Sequence, residues 1–143
     1  MQRGVTLIEL IIVVIIIGVL VSFAAPQYKA AQEKTLNNEA IATLKLIIGA
    51  EKAYRLDTGS YYDPNASDVP TRIRLANENL KLTLPTQNYN WIYSFLCTEG
   101  EEGTPADSCC IIAWPAKSGT IAWRLRHNEE EPVSYNTSSC VCW

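Results

Sequence analysis

The sequence predicts an α+β protein: a long N-terminal α-helix, membrane-spanning in its first half, packed on a small antiparallel β-sheet head. Three observations predict it. Four residues, Met1-Gln2-Arg3-Gly4, are followed by an apolar run from Val5 to Ala25. From Gln27 to Asp57 there is no proline, the only glycine is Gly49, and apolar residues recur at helical spacing. In the last third, apolar and polar residues alternate with a period of two, and all five cysteines gather there.

Val5–Ala25 is 21 residues, or about 31 Å of helix at about 1.5 Å per residue, enough to cross a bilayer. A secretory signal places its basic residue before the apolar core and its small residues and cut after it. Here Arg3 and Gly4 both precede the run. A cut after Gly4 leaves the hydrophobic segment on the finished protein. Charge alone does not orient the segment, with Arg3 before it and Lys29 and Lys34 after it. Glu9 is the one carboxylate in the run, and an acid at the centre of a membrane helix costs about 2.5–3.5 kcal/mol on insertion scales, less near the interface. Pro26 has no N–H and crowds the carbonyl of Ser22, so a kink or local melting is expected across Ser22–Pro26. Gly18 offers a small surface for close helix approach.

The stretch Gly4-Val5-Thr6-Leu7-Ile8-Glu9-Leu10-Ile11-Ile12-Val13-Val14 resembles the leader junction of type IV prepilins and type II secretion pseudopilins. It departs at Val5, where such proteins most often carry phenylalanine. The similarity covers roughly the first 30 residues; beyond them only the layout, a pilin-like long helix and small head, is shared. The resemblance implies a leader peptide over residues 1–4, cleaved between Gly4 and Val5 by a prepilin peptidase on the cytoplasmic side, and N-methylation of Val5 by the same enzyme. It further implies a transmembrane and filament-core helix at 5–25, an amphipathic stem at 26–57 and a globular head at 58–143.

Glu9 then has two readings. Lying one turn from the cytoplasmic end, it reaches the headgroups; or it pairs with the α-amino group of Val5 on a neighbouring subunit and fixes axial register. That amine exists only after cleavage, and an unpaired buried charge is strongly disfavoured. The implied function is a structural subunit of a type IV pilus serving adhesion, motility or DNA uptake, with a pseudopilin of a type II secretion system as the alternative. Implied partners are further copies of the chain in a helical homopolymer, minor pilins, the peptidase, the inner-membrane assembly machinery, and lipid before assembly. The precursor is expected in the inner membrane with a periplasmic head, and the product in an extracellular pilus or a periplasmic pseudopilus.

In the stem, Leu36, Ala40, Leu44, Ile47 and Tyr54 form one apolar stripe, and Lys34, Lys45 and Lys52 lie elsewhere on the helix. Thr58-Gly59 supplies a stop, giving one helix of about 80 Å over residues 5–57. Ser60–Pro85, with Asp63-Pro64 and Val69-Pro70, reads as a loop-rich connection. Asp57, Asp63 and Asp68 within or beside it match no calcium loop and read as solvated surface. Strands follow at Tyr89–Cys97, Cys110–Trp114 and Ile121–Arg126, with Ala116–Gly119 as a tight hairpin loop. A meander of three or four strands against the helix stripe is expected, with Trp91 and Trp123 in the core.

About 85 residues make a small head, and small heads often need covalent staples. The cysteines are Cys97, Cys109, Cys110, Cys140 and Cys142. Vicinal and C-x-C spacings do not match zinc knuckles, and disulfides are expected of an exported domain. Cys97 is expected to meet Cys109 or Cys110 across the first hairpin, with Cys140 or Cys142 tying the tail to what remains; which pairs form is left open. A loop of about 30 residues closed this way contributes roughly 3–4 kcal/mol in the chain-entropy model. A C-terminal disulfide-bounded loop resembles pilins more than major pseudopilins. Glu99, Glu101, Glu102, Asp107 and the run Glu129–Glu131 read as solvated turns, with basic partners such as Arg124 and Arg126 of a neighbour as the alternative.

Net charge is −3, one unit more negative without Arg3, which speaks against specific nucleic-acid binding. No phosphate-binding glycine loop and no HExxH pattern is present, and His127 is the sole histidine. The sequence supports no nucleophile–base arrangement, so no catalytic residue, cofactor or metal ligand is assigned and the chain is not expected to be an enzyme.

Overall fold

The structure, a computed structural model, describes residues 6–87, 89–98, 108–117 and 121–137. Two compact units divide the chain, residues 1–37 and residues 38–143. Helix α1 spans Leu7–Thr58. It stops where the sequence said it should: Gly59 takes φ of 91°, the left-handed conformation that glycine adopts at no steric cost, and its N–H donates to the Arg55 carbonyl at 2.8 Å. Local melting at Pro26 does not occur, because residues 22–26 remain helical. The Ser22 hydroxyl donates to the Gly18 carbonyl at 2.8 Å, one turn back.

In the first unit every described residue from Thr6 to Leu36 is exposed. In the second, α1 turns one stripe inward: Ala40, Leu44, Ile47, Ile48 and Glu51 are buried. The ends of the expected stripe differ, since Leu36 is exposed and Tyr54 only half-buried.

Four strands follow: β1 (Trp91–Thr98), β2 (Ser108–Pro115), β3 (Ile121–Arg126) and β4 (Val133–Asn136). They form an antiparallel meander in the order β1-β2-β3-β4. Period-two alternation sorts the side chains between two faces. Trp91, Tyr93, Phe95, Cys97, Cys109, Ile111, Ala113 and Leu125 join the α1 stripe in the main core, with Trp123 packed against it. On the other face Cys110, Ile112 and Ala122 make a second cluster flanked by Trp114 and Tyr135. Of the expected Ala116–Gly119 loop, residues 118 and 119 lie outside the described residues.

The connection from 60 to 85 is a correction to the sequence reading. It contains a second helix, α2, at Val69–Leu80. In the sequence Val69-Pro70 reads as punctuation, but proline in a first helical turn removes a donor that has no intrahelical partner anyway. Asp68 is the N-cap, its carboxylate accepting from Thr71 N–H at 2.8 Å. That hydrogen bonding holds the Asp68 carboxyl below its ordinary range, so Asp68 is a cap and not merely a solvated acid. Ile73, Ala76 and Leu80, spaced three and four apart, bury the inner face. Lys81 ends the helix at φ 56°. Asn77 then pins the exit, its side chain donating to the Leu84 carbonyl and accepting from Leu84 N–H, both at 2.8 Å.

Candidate functional site

The residues singled out by the sequence fall in two places. At the start of α1, Glu9 occupies the third helical position after Thr6. Its Oε2 accepts from Thr6 N–H at 3.4 Å and from the Thr6 hydroxyl at 3.5 Å. The carboxylate thus reaches back to an otherwise unpaired donor of the first turn, one half of a capping box, and sits where the helix dipole favours a negative charge. A Thr-x-x-Glu pattern was there to be read in Thr6–Glu9. Both contacts are long, so this hold on the carboxylate is light. Around it the surface is apolar: Leu7 is 74% exposed and Leu10 58%, and aliphatic exposure continues through Val21 and Phe23. From Leu7 to Tyr28, Glu9 is the only charged side chain. Helix α1 is long and apolar enough to cross a membrane. Gly4 and Val5, the expected cleavage and methylation positions, lie outside the described residues.

The second place is the core of the head. Cys97 and Cys109 face each other in the β1–β2 register and are joined by a disulfide, as the hairpin reading allowed. Cys110, on the opposite face, is also disulfide-bonded. Cys140 and Cys142 lie outside the described residues. The Cys109 N–H donates to His127 Nδ1 at 3.2 Å, and His127 N–H donates to the Cys109 carbonyl at 2.8 Å. The sole histidine therefore secures the β2–β3 end. Its ring also lies 5.6 Å from that of Tyr61.

Glu51 was missed. It fills the gap in the stripe between Ile47 and Tyr54, four residues after one and three before the other, and it is wholly buried. An acid at an apolar stripe position was the available signal. Its Oε2 accepts from Tyr62 N–H at 2.9 Å. A Glu51 oxygen and the Cys97 and Cys109 sulfurs lie within 4.8 Å of one another, but the sulfurs are bonded to each other, leaving a single carboxylate as donor.

The charged turn after β3 is resolved internally. Arg124 Nη2 lies 3.3 Å from Glu129 Oε1, Arg126 N–H donates to Glu129 Oε2 at 3.0 Å, and Arg124 stacks over Tyr135 at 4.5 Å. Glu131 pairs with Lys45 at 2.6 Å. Arg124, Arg126, Glu129 and Glu131 thus meet partners within the chain, and Glu129–Glu131 is not simply a solvated turn. Glu99, Glu101, Glu102 and Asp107 lie outside the described residues. An open groove of about 620 Å³ is lined by Lys52, Arg55, Leu56, Tyr61 and His127. There Arg55 is already engaged with Tyr61 through a 3.3 Å hydrogen bond and a ring contact.

Comparison with known proteins bears on the first of these places. Residues 1–25 match the family model of the prokaryotic N-terminal methylation motif. The chain is 37% identical over 60 residues to the type II secretion system core protein G of Klebsiella pneumoniae, covering 42% of this chain and 43% of that one. To the protein of the same name in Escherichia coli strain K12 it is 36% identical over 64 residues, 45% and 44% of the two chains. It is 41% identical over 62 residues to the type IV major pilin protein PilA of Myxococcus xanthus strain DK1622, 43% of this chain and 28% of that one. The matched stretch spans less than half the length of each of these curated relatives. No solved structure matches.

Proposed function

We propose that this chain, which carries the N-terminal methylation motif, is a structural filament subunit of the type IV pilus and type II pseudopilus class. It is cleaved after Gly4, methylated at Val5 and polymerised through residues 5–25. The observation that carries the proposal is the exposed apolar surface of α1 with Glu9 as its one charge. Such a surface is stable in lipid or against copies of itself, and not in water. In the membrane, Glu9 is held by Thr6 and lies near the interface. Cleavage hydrolyses the Gly4–Val5 peptide bond and turns an uncharged amide nitrogen into an ammonium. Packed helices exclude water, and the ammonium of one subunit then matches the carboxylate of another. Subunits displaced from that register bury both charges unpaired, which costs about 3–5 kcal/mol. The precursor lacks the ammonium, so cleavage licenses assembly.

Within this class we read the product as an extracellular type IV pilus. Similarity to the pilin PilA and a cysteine-rich, disulfide-tied head support that reading. The similarity to secretion core protein G favours the second reading, a periplasmic pseudopilus. Substituting Gly4 by leucine tests the processing step. The variant is expected to accumulate in the inner membrane at precursor mass, and filaments of normal yield from Gly4→Leu would contradict the proposal. Recovery of the wild-type chain in sheared surface filaments supports the pilus; confinement to the cell envelope supports the pseudopilus.

A further inference from the structure

Among the described residues Glu51 is the one carboxylate with no solvent exposure. It stands on the apolar stripe of α1, where a charged group is unfavourable unless its oxygens are matched. One oxygen accepts from Tyr62 N–H; the other, Oε1, has no hydrogen-bond partner among the described residues. A carboxylate oxygen lies within 4.8 Å of both sulfurs of the Cys97–Cys109 disulfide. Packing therefore sets a half-satisfied acid from the helix against the bridge that joins β1 to β2. Other ionisable groups around this point are Asp63 and Tyr62, on the segment after α1, and His127, bonded to the Cys109 backbone.

The two cysteine residues are not equally buried. Cys97 retains 7% exposure and Cys109 1%. Disulfides form through a mixed intermediate in which a thiolate attacks a sulfur. An external disulfide meets Cys97 first, which leaves the Cys109 thiol to complete the bridge from inside the core. A thiol in apolar surroundings ionises reluctantly, so this second step needs a base already in place.

We propose that Glu51 is the proton acceptor for closure of the Cys97–Cys109 disulfide, and the donor of that proton when a dithiol opens it. In closure the oxidant is an external disulfide, either oxidised glutathione or an oxidising protein. Cys97 carries the mixed disulfide. The Glu51 carboxylate takes the proton of the Cys109 thiol; the Cys109 sulfur attacks the Cys97 sulfur; the mixed bond breaks and its electron pair leaves on the external thiolate. Opening reverses each transfer, with the dithiol oxidised and Cys109 released as a thiol. Burial, offset by the Tyr62 N–H and reinforced by the Asp63 charge, pushes the Glu51 carboxyl up to about 7. Both protonation states are accessible near neutrality, which suits a group that must accept and return a proton.

The test follows reoxidation of the reduced full chain in detergent. Saturating oxidised glutathione isolates the intramolecular step, and alkylation with peptide mass analysis counts the Cys97–Cys109 link. The wild-type rate is expected to level off above about pH 8, once the carboxylate is fully ionised. Glu51→Gln is expected to slow closure about tenfold or more at pH 7, and its rate to climb about tenfold per pH unit toward the ordinary thiol range. Glu51→Asp should keep a levelled profile at a reduced rate. Superimposable profiles for wild type and Glu51→Gln overturn the proposal and leave Glu51 as a structural anchor for Tyr62. Should Glu51→Gln fail to fold, the wild-type profile decides: a rate that climbs without a break to the thiol range overturns it equally.

Discussion

Residues 7–36 and 40–51 belong to one α-helix, yet they meet opposite surroundings. The first stretch is exposed throughout and apolar on every side as far as Ala25; the second is amphipathic and buries one stripe against the sheet and α2. Helix formation is common to both, so the difference lies in who supplies the partner. The second stretch finds its partner within the chain, through the core formed by Leu44, Ile47, Ile73, Ile111 and Leu125. The apolar surface of residues 7–25 stays exposed, and it is this surface that the proposed function assigns to lipid or to other subunits. Each stretch also carries one conspicuous acid. Glu9 is exposed and lightly held; Glu51 is buried and half-satisfied. Substitutions in the two stretches should therefore separate assembly from folding.

The largest expected effect is on assembly. Glu9→Ala should insert into membranes as well as wild type or better, and leave the thermal unfolding of the head unchanged. Its filament yield should fall by an order of magnitude or more, as expected when about 3–5 kcal/mol of charge matching is lost per contact. Immunoblots of sheared filaments against membrane fractions read this directly, and unchanged yield removes the register argument. In the second stretch the pattern inverts. Leu44→Ala deletes a wholly buried side chain and should destabilise the head by about 2–5 kcal/mol. Ile15→Ala, on the exposed run, should change head stability by less than about 0.5 kcal/mol. Denaturant unfolding followed by tryptophan fluorescence distinguishes them.

A smaller effect comes from pH. Glu51 is raised from 4.5 to about 7 in the folded chain, so the folded state binds more protons than the unfolded state between those values. Its contribution is present below about pH 4.5 and is lost as pH rises through 7. The full swing is at most about 3 kcal/mol. Asp63, also raised by burial, adds a change of the same sign. Melting temperatures between pH 4.5 and 7.5 should fall with rising pH, and Glu51→Gln should flatten the slope; an unchanged slope would remove Glu51 as its source. Smaller again is the effect of Asp68→Ala, which removes the α2 cap at a cost of about 1 kcal/mol and should lower the midpoint of denaturant unfolding accordingly without touching filament yield.

The contrast also marks what was legible in the sequence. Apolar continuity from Val5 to Ala25, the Thr58-Gly59 stop, the period-two strands and the Cys97 hairpin are all local patterns, and local patterns suffice for elements of that kind. Helix α2 was lost because Pro70 has two meanings. Inside a helix it breaks, in the first turn it starts, and only the Asp68 cap with Ile73, Ala76 and Leu80 behind it decides. Glu51 was passed over for a different reason. Its stripe position was visible, but its meaning depends on Tyr62, Cys97 and Cys109, which meet it only in the folded core. Arg124 and Glu129 likewise find each other through the β3 turn, which composition does not reveal. For Gly4, Val5 and Glu9 the motif itself was the information, and the roles proposed for them concern a membrane and neighbouring subunits that a single chain does not contain.

The central claim is that cleavage after Gly4 leaves the apolar helix on the mature protein. Intact mass analysis of the chain from sheared filaments, or from membranes if none are shed, tests it most directly. The account predicts a chain that begins at Val5, carries one added methyl group and retains Val5–Ala25. A mature chain that begins beyond Ala25, or one that still begins at Met1 within assembled filaments, would contradict it.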